Sequence, residues 1–168
     1  MRLFISAEFH DRAKKRLEKC GAMLREAGVR GGYVPSVNYH ITLAFIGETN
    51  DADAVCRAVS QVSFHPVGAE FGYFGNFGNI DWISPFNTDD LTGLSGVVRK
   101  ELADRGIRFD EKPFMPHVTL IRKARHPEQF VFPRPERFSV TVGRIGVIRS
   151  ILTPEGAEYA EIYVKDLY

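Results

Sequence analysis

Apolar and polar residues in the first part of the chain follow two periods, which predict a strand, a helix and a second strand. Residues 2–8 form a short, mostly apolar run that is typical of a strand. From Asp11 onward, apolar residues recur three and four positions apart as far as Gly28, which indicates an amphipathic helix. Residues 39–46 then form a second strand, which is bounded by Gly47.

A later part of the chain repeats this order of elements. The pattern predicts a strand around 79–85 and a helix from about Asp89 to Asp104 that stops at Gly106. A further strand covers roughly 115–122. The chain therefore contains two stretches that each consist of a strand, a helix and a strand.

Other predicted elements flank the two stretches. Asn50 or Asp51 caps a short helix, and Val67–Phe77 forms a further strand. The C-terminus is predicted to be a hairpin of two strands, 138–151 and 158–165. These elements predict an α+β fold: two related lobes whose mainly antiparallel sheets form a central groove, with helices on the outer faces.

The two stretches also share short sequences in the same order. His-Ile-Thr-Leu at 40–43 is followed 77 residues later by His-Val-Thr-Leu at 117–120. A repeat of this span is longer than the roughly 20–50 residues of solenoid repeats, so it indicates duplication of a larger unit. We therefore interpret the chain as a single domain, 1–168, of two pseudo-symmetric lobes. The internal repeat covers roughly 2–47 and 79–123.

The repeated sequence places a histidine and a threonine on one face of each strand. Side chains two positions apart on a strand point the same way, so His40 lies beside Thr42 and His117 beside Thr119. An imidazole moves protons near neutral pH, and a hydroxyl donates to an anionic oxygen. Two such pairs across a groove suit acid–base chemistry on a phosphate. Opening a 2′,3′-cyclic phosphate needs a base for water and an acid for the departing ribose oxygen.

Composition limits the classes of function. The 168 residues are 44% hydrophobic and 26% charged, and the net charge of +1 excludes a strong whole-molecule attraction for nucleic acid. The five His and two Cys residues lack metal-ligand spacing, so we expect no metal and no cofactor. The chain has no membrane-length apolar stretch and no signal peptide. We therefore expect a cytoplasmic protein with no membrane association, and a monomer.

Four segments of the sequence resemble a known family. They are RLFISAEF near the N-terminus, YHITLAFIGE at 39–48, FMPHVTLIRK at 114–123 and LTPEGAEY at 152–159. In these segments the chain resembles the RNA 2′,3′-cyclic phosphodiesterases, also called 2′-5′ RNA ligases, of the 2H phosphoesterase superfamily. The resemblance implies a bilobal fold with both motifs lining the groove. It also implies a partner, an RNA or oligonucleotide with a 2′,3′-cyclic phosphate end.

The resemblance also implies roles for individual residues. His40 is expected to be the proton donor and His117 the proton acceptor, while Thr42 and Thr119 contact the phosphate. Arg122, in the second motif, is expected to bind substrate.

Two aromatic residues near the motifs are further candidates for substrate binding. Phe45 and Tyr33 can stack on a nucleobase, although aromatic residues on strands more often belong to the core. Tyr33 stands where related sequences commonly have Trp, which affects the expected substrate preference rather than the chemistry.

Three functions fit these observations. The favoured one is hydrolysis of RNA 2′,3′-cyclic phosphate ends to a 2′-phosphomonoester by two-histidine catalysis without a metal. A non-catalytic nucleotide- or RNA-binding module is the first alternative, although binding alone needs no pair of proton-transfer groups. RNA 2′-5′ ligation, the reverse reaction, is the second. Water at about 55 M favours hydrolysis over ligation.

Overall fold

The computed structural model describes all 168 residues, as three α-helices, nine strands and one short 3₁₀ helix. In chain order the elements are β1 (Arg2–Glu8), α1 (Asp11–Glu26), β2 (Arg30–Tyr33), the 3₁₀ helix (Ser36–Asn38), β3 (Ile41–Glu48), α2 (Ala52–Ser60), β4 (Val67–Phe77), β5 (Ile80–Pro85), α3 (Asp89–Asp104), β6 (Val118–Arg125), β7 (Phe138–Val142), β8 (Arg144–Thr153) and β9 (Gly156–Asp166).

The strands form two sheets in which every neighbouring pair is antiparallel. The first sheet has the order β3-β1-β8-β9, and the second has the order β2-β6-β5-β4-β7. Each sheet contains one strand that follows a His-x-Thr histidine, β3 in the first and β6 in the second. The predicted α+β class with mainly antiparallel sheets is confirmed.

Each half of the chain contributes a segment to the sheet of the other half. β2, from the first half, pairs with β6, and Tyr33 lies opposite Ile121. In the second half, the N–H of Asp110 donates to the carbonyl of Phe45 on β3 at 2.8 Å. These exchanges bring the two motif strands close to one another.

The helices cover the faces of the sheets that do not face the groove. In α3, the Ser95 hydroxyl donates to the carbonyl of Leu43 on β3 at 2.8 Å. On the second sheet, the α1 guanidinium of Arg16 lies 5.0 Å from the ring centre of Phe138. Beneath the helices, 35 buried residues form one continuous hydrophobic cluster. No helix in the structure has the length and apolar composition needed to cross a membrane.

Several element predictions agree closely with the structure. β1 has the predicted bounds, and α3 also begins and ends where expected. Of the two candidate caps for α2, the structure uses Asp51, whose carboxylate accepts from the N–H of Ala54 at 3.0 Å.

One prediction about the strands was wrong, and one strand was not predicted. Residues 138–151 form two strands instead of one, because the chain leaves the second sheet at Gly143 and enters the first as β8. The sequence also gave no sign of β2, whose four residues include two glycines and carry no alternating pattern. The motif strands begin slightly later than predicted, at Ile41 and Val118, so both histidines lie just before the first paired residue.

Candidate active site

His40 is held at the start of β3 by contacts on both ring nitrogens. Its Nδ1 lies 2.7 Å from the carbonyl oxygen of Asn38, in the 3₁₀ helix. A carbonyl only accepts, so Nδ1 carries the proton and Nε2 of the neutral ring has the lone pair. Nε2 lies 2.9 Å from the Thr42 hydroxyl, which then donates to it. The ring also stacks on Phe4 at 4.7 Å and meets the edge of Tyr159 at 5.5 Å.

His117 repeats the same backbone contact at the start of β6. Its Nδ1 lies 2.7 Å from the carbonyl oxygen of Met115, again two residues earlier in the chain. Its Nε2 therefore also has the lone pair, and no protein group donates a hydrogen bond to it. The ring meets the edge of Phe77 at 5.0 Å and lies 6.3 Å from the ring of Trp82. The two motifs thus present two imidazole nitrogens in the same tautomer.

The surroundings favour the neutral form of both rings. Burial lowers the pKa of His40 to about 4, and the positive charges of Arg122 and His117 act in the same direction. Burial also lowers the pKa of His117 from its ordinary value, again with a contribution from Arg122. Both imidazoles are therefore neutral at pH 7 in this structure. A negative charge bound between them favours protonation, because it opposes the effect of burial.

Two cavities lie side by side in the groove. The first, about 520 Å³, is lined by His117, by several apolar side chains and by Arg99, Lys112 and Asp110. The second, about 410 Å³, is lined by His40, Arg2 and Arg122 and by no acidic residue, and we call it the cationic cavity. Both are lined by Thr42 and Phe45, which therefore stand at their junction. Each cavity thus contains one motif histidine, and the exposed surface of the first is mainly apolar.

The predicted site residues differ in how closely they approach these cavities. His40, His117, Thr42, Phe45 and Arg122 all line one cavity or both. These five residues come from the two halves of the chain, and the fold brings them to one groove.

Two predicted residues lie outside the lining. Thr119 is opposite Trp82 in the sheet and half-buried, and it lines neither cavity. Tyr33 lies under the guanidinium of Arg25, 4.2 Å from its ring centre, and its hydroxyl donates to the carbonyl of Val29 at 2.6 Å. The aromatic ring of Tyr33 is thus part of the packing beneath α1 rather than of the groove.

Sequence reasoning missed most of the other lining residues of the cationic cavity, among them three with aromatic or charged side chains. Arg2, Tyr159 and Phe4 line it together with His40 and Arg122. The guanidinium of Arg2 lies 4.9 Å from the ring centre of Phe45. The period of two on β1 offered a signal, because Arg2 and Phe4 alternate with the fully buried Leu3. Tyr159 could not be found this way, because its position depends on the pairing of distant strands. No group of three or more His, Cys, Asp or Glu residues is close enough to hold a metal ion.

The fold thus consists of two antiparallel sheets that place a histidine from each half of the chain in one groove. Residues 7–152 match the 2′-5′ RNA ligase superfamily. Because this match covers most of the chain, the protein belongs to the 2′-5′ RNA ligase superfamily. The family resemblance seen in the sequence is confirmed.

Individual relatives and solved structures agree with this assignment. The chain is 32% identical to an RNA 2′,3′-cyclic phosphodiesterase of Thermotoga maritima, over 97% of this chain and 94% of the relative. It is 33% identical to a protein of the same name from Archaeoglobus fulgidus, over 98% and 99% of the two chains. The fold is similar to E. coli LigT complexed with 3′-AMP, with a TM-score of 0.84 at 23% identity, covering 99% and 97%.

Proposed function

We propose that the protein hydrolyses RNA ends that carry a 2′,3′-cyclic phosphate, and that the product is a 2′-phosphomonoester. Water attacks phosphorus while Nε2 of His117 takes one of its protons. The bond between phosphorus and O3′ breaks, and His40 donates a proton to the departing O3′. Protons, atoms and charge balance without a metal ion, so the proposal includes metal-independent activity.

The observation that carries the proposal is the identical fixing of the two imidazoles. Each Nδ1 donates to the carbonyl two residues earlier, so each Nε2 is left for proton transfer. A module that only bound nucleotides would need neither this shared tautomer nor two titratable groups in one groove.

The lowered pKa values are compatible with these roles. A neutral His117 is ready to act as a base at pH 7. His40 must be protonated when it acts, and the negative charge of a bound cyclic phosphate supplies the attraction that raises its pKa. Because burial keeps the pKa of His40 below its ordinary value, its protonated form is a strong acid toward the departing oxygen.

Neighbouring groups support the binding of a phosphate at the junction of the cavities. The Thr42 hydroxyl lines both cavities and is within hydrogen-bond distance of His40. Arg2 and Arg122 add positive charge to the cavity of His40. These groups can hold the non-bridging oxygens as charge develops on them. The names of the Thermotoga and Archaeoglobus relatives support the choice of a cyclic phosphate substrate.

The proposal extends to the form of the protein. We infer one domain, 1–168, of two related halves, because a single cluster of 35 buried residues runs through the structure. We further propose that it works as a monomer in the cytoplasm. Light scattering of the purified protein at micromolar concentration tests the monomer, and fractionation of the source cells tests the location.

A short RNA with a 2′,3′-cyclic phosphate end, incubated with the protein and a chelator, tests the reaction. We expect conversion to a 2′-phosphate end, identified by its removal with a non-specific alkaline phosphatase, which leaves the cyclic phosphate intact, and by its resistance to a 3′-specific phosphatase. Failure to convert the RNA in any buffer would favour the binding module. Joining to an added RNA with a 5′-hydroxyl end, in preference to hydrolysis, would favour ligation. Activity that returns only with a divalent ion would exclude the metal-free mechanism.

Replacement of Thr42 by Val tests the phosphate contact. The change keeps the shape of the side chain and removes its hydroxyl, so transition-state binding should weaken by roughly 1.5–3 kcal/mol, as for hydrogen bonds to charged groups. The matched control is Thr141→Val, on an exposed position of β7. Equal kcat/KM in the two variants would place the Thr42 hydroxyl outside the reaction.

A further inference from the structure

A row of aromatic side chains extends from the groove across the second sheet. It consists of Phe77, Trp82, Tyr73 and Phe86, and we call it the aromatic strip. Its successive ring centres are 5.2, 5.9 and 5.3 Å apart. Its members lie on β4, on β5 and directly after β5.

The aromatic strip lies on the same face of the sheet as the second motif. Trp82 of β5 is directly opposite Thr119 of β6 on one side and Gly75 of β4 on the other. Residues directly opposite one another in a sheet share a face. Phe77, at the near end of the aromatic strip, meets the ring of His117 at 5.0 Å. The strip is therefore continuous with the His117 cavity, which Phe77 also lines.

Two glycines let the rings lie close to the backbone of the sheet. A Cβ at Gly75 would come within 2.3 Å of the ring of Trp82, and one at Gly72 within 2.1 Å of the ring of Phe86. These positions leave no room for a side chain. The backbone thus supports two rings from below, which fixes a flat apolar surface at low cost in side-chain entropy.

The aromatic strip is accessible, and it ends at a cation. Tyr73, Phe77 and Phe86 are 41%, 38% and 44% exposed, which is high for large apolar rings. At the far end, the guanidinium of Arg137 lies 4.1 Å from the ring centre of Phe86. Arg137 also pairs with Glu70 of β4 at 3.5 Å, and both side chains are exposed.

We propose that the aromatic strip binds the nucleotides of a single-stranded RNA that precede its reacting end. Bases stack on exposed rings carried by the face of a sheet, whatever their sequence, and a guanidinium at the end of such a row binds phosphate. The direction in which the RNA lies along the strip rests on the proposed function, which places the reacting end of the RNA at His117. A protein partner is disfavoured because the strip is a single row of rings rather than a broad apolar patch.

The proposal has a consequence for chain length. A cyclic mononucleotide reaches only the groove, whereas a longer RNA also reaches the aromatic strip. We expect KM to fall as the substrate grows from one to about four nucleotides, while kcat changes little. The ratio of kcat/KM for a tetranucleotide to that for a mononucleotide measures the contribution of the strip.

Variants of the strip should reduce this ratio. In Tyr73→Ala and Phe86→Ala we expect it to fall about 5- to 100-fold, which corresponds to the loss of one base–aromatic stack. The control is Tyr168→Ala, because Tyr168 is 90% exposed and lines neither cavity. A ratio that stays equal in Tyr73→Ala, Phe86→Ala and Tyr168→Ala would overturn the proposal.

The fluorescence of Trp82 provides a second readout that does not need catalysis. Trp82 is the only tryptophan in the chain and lies within the strip, so a stacked base should quench its emission. A single-stranded RNA with an ordinary 3′-hydroxyl is the probe, because it cannot react. We expect saturable quenching that weakens in Tyr73→Ala and is absent with a fully base-paired RNA.

The two readouts separate failure of the strip from failure of the proposed function. Quenching without hydrolysis of any cyclic phosphate would retain the strip as an RNA surface and overturn the reaction. Hydrolysis with no quenching and no length dependence would overturn the strip alone. A third outcome is that RNA causes no quenching and that the protein self-associates in a way that Tyr73→Ala abolishes. This outcome would also overturn RNA binding by the strip and would make a second copy of the chain its occupant.

Discussion

His40 and His117 share one backbone contact but differ in the groups that lie against their rings. His40 stacks on Phe4 and accepts from Thr42 in a cationic cavity. His117 stands beside Phe77 in a mainly apolar cavity, and its Nε2 has no protein partner. Because the motifs themselves are nearly identical, in the proposed reaction these neighbours must decide which ring gives a proton and which takes one.

The assignment of the two rings can be tested with a changed leaving group. His40→Ala and His117→Ala should each lower kcat by roughly 10²–10⁴, the usual contribution of one general acid or base. An analogue with a much better leaving group in place of O3′ needs less help from an acid. This analogue should therefore restore the kcat of His40→Ala far more than that of His117→Ala. Equal restoration of the two variants, or a 3′-phosphate product, would contradict the assignment.

The lowered pKa of His40 predicts how stability depends on pH. Between pH 6.5 and about 4 the unfolded chain binds a proton at His40 that the folded protein does not. The free energy of unfolding is therefore unaffected by His40 above pH 6.5. As the pH falls from 6.5 toward 4, protonation of the unfolded chain lowers the free energy of unfolding, by about 3 kcal/mol at most. Urea unfolding at pH 7.5 and pH 4.5 measures the loss.

The matched variants for this measurement are His40→Gln and His10→Gln. His10 is exposed, and its side chain makes no capping hydrogen bond at the start of α1. We expect a weaker dependence on pH in His40→Gln and a nearly unchanged dependence in His10→Gln. A dependence that is the same in both variants would show that His40 is not held neutral by the fold.

Among the elements, β2 is the shortest strand, and it lies close against the motif strand β6. At Gly31 the backbone has φ +149, and a Cβ there would come within 2.9 Å of the carbonyl oxygens of Arg122 and Lys123. Gly31 thus allows β2 to lie directly against β6, next to the arginine of the cationic cavity. The position of this strand depends on the absence of one side chain.

Replacing Gly31 with Ala should separate β2 from β6. We expect a loss of about 1–3 kcal/mol in the free energy of unfolding, since the new Cβ meets backbone atoms in a strained conformation. We also expect a lower kcat/KM, because the carbonyl displaced belongs to Arg122. Gly32→Ala is the control, as its Cβ would lie 3.5 Å from the nearest atom outside its chain neighbours, an ordinary contact. Urea unfolding that does not distinguish the two variants would rule out this role for Gly31.

At the scale of the whole molecule, α3 joins the two halves of the candidate active site. The Arg99 side chain donates from Nε to the carbonyl of Leu43 at 3.3 Å and from Nη1 to that of Lys112 at 2.8 Å. Leu43 follows Thr42 on β3, and Lys112 precedes His117 by five residues. One guanidinium therefore fixes backbone on both sides of the His117 cavity, which Arg99 also lines.

Replacing Arg99 with Met should loosen this connection. Met retains much of the apolar stem but donates no hydrogen bond, so we expect a loss of about 1.5–3 kcal/mol in the free energy of unfolding. A lower kcat/KM should accompany it. The control is Arg105→Met, directly after the same helix, where a partly exposed pair with Glu101 should contribute no more than about 1 kcal/mol. Similar losses in both variants would show that Arg99 is an ordinary surface residue.

The sequence predicted the elements whose pattern is local. β1, α1 and α3 have strong periods in their apolar residues, and all three were found close to their predicted bounds. The repeated His-x-Thr sequence also predicted that His40 and His117 share a groove, and the two residues line adjoining cavities. These features are available in the sequence because each depends on residues only a few positions apart.

Only the tertiary structure decided which segments meet. The division of 138–151 at Gly143, the addition of β2 to the second sheet and the burial of Tyr33 beneath Arg25 all depend on pairing between distant strands. The lowered pKa of His40 has the same origin, since burial is a property of the packed molecule and not of the motif. The sequence by itself thus determined the family and the candidate reacting groups. The fold determined the lining of the groove and the aromatic strip, because both bring together side chains from several strands.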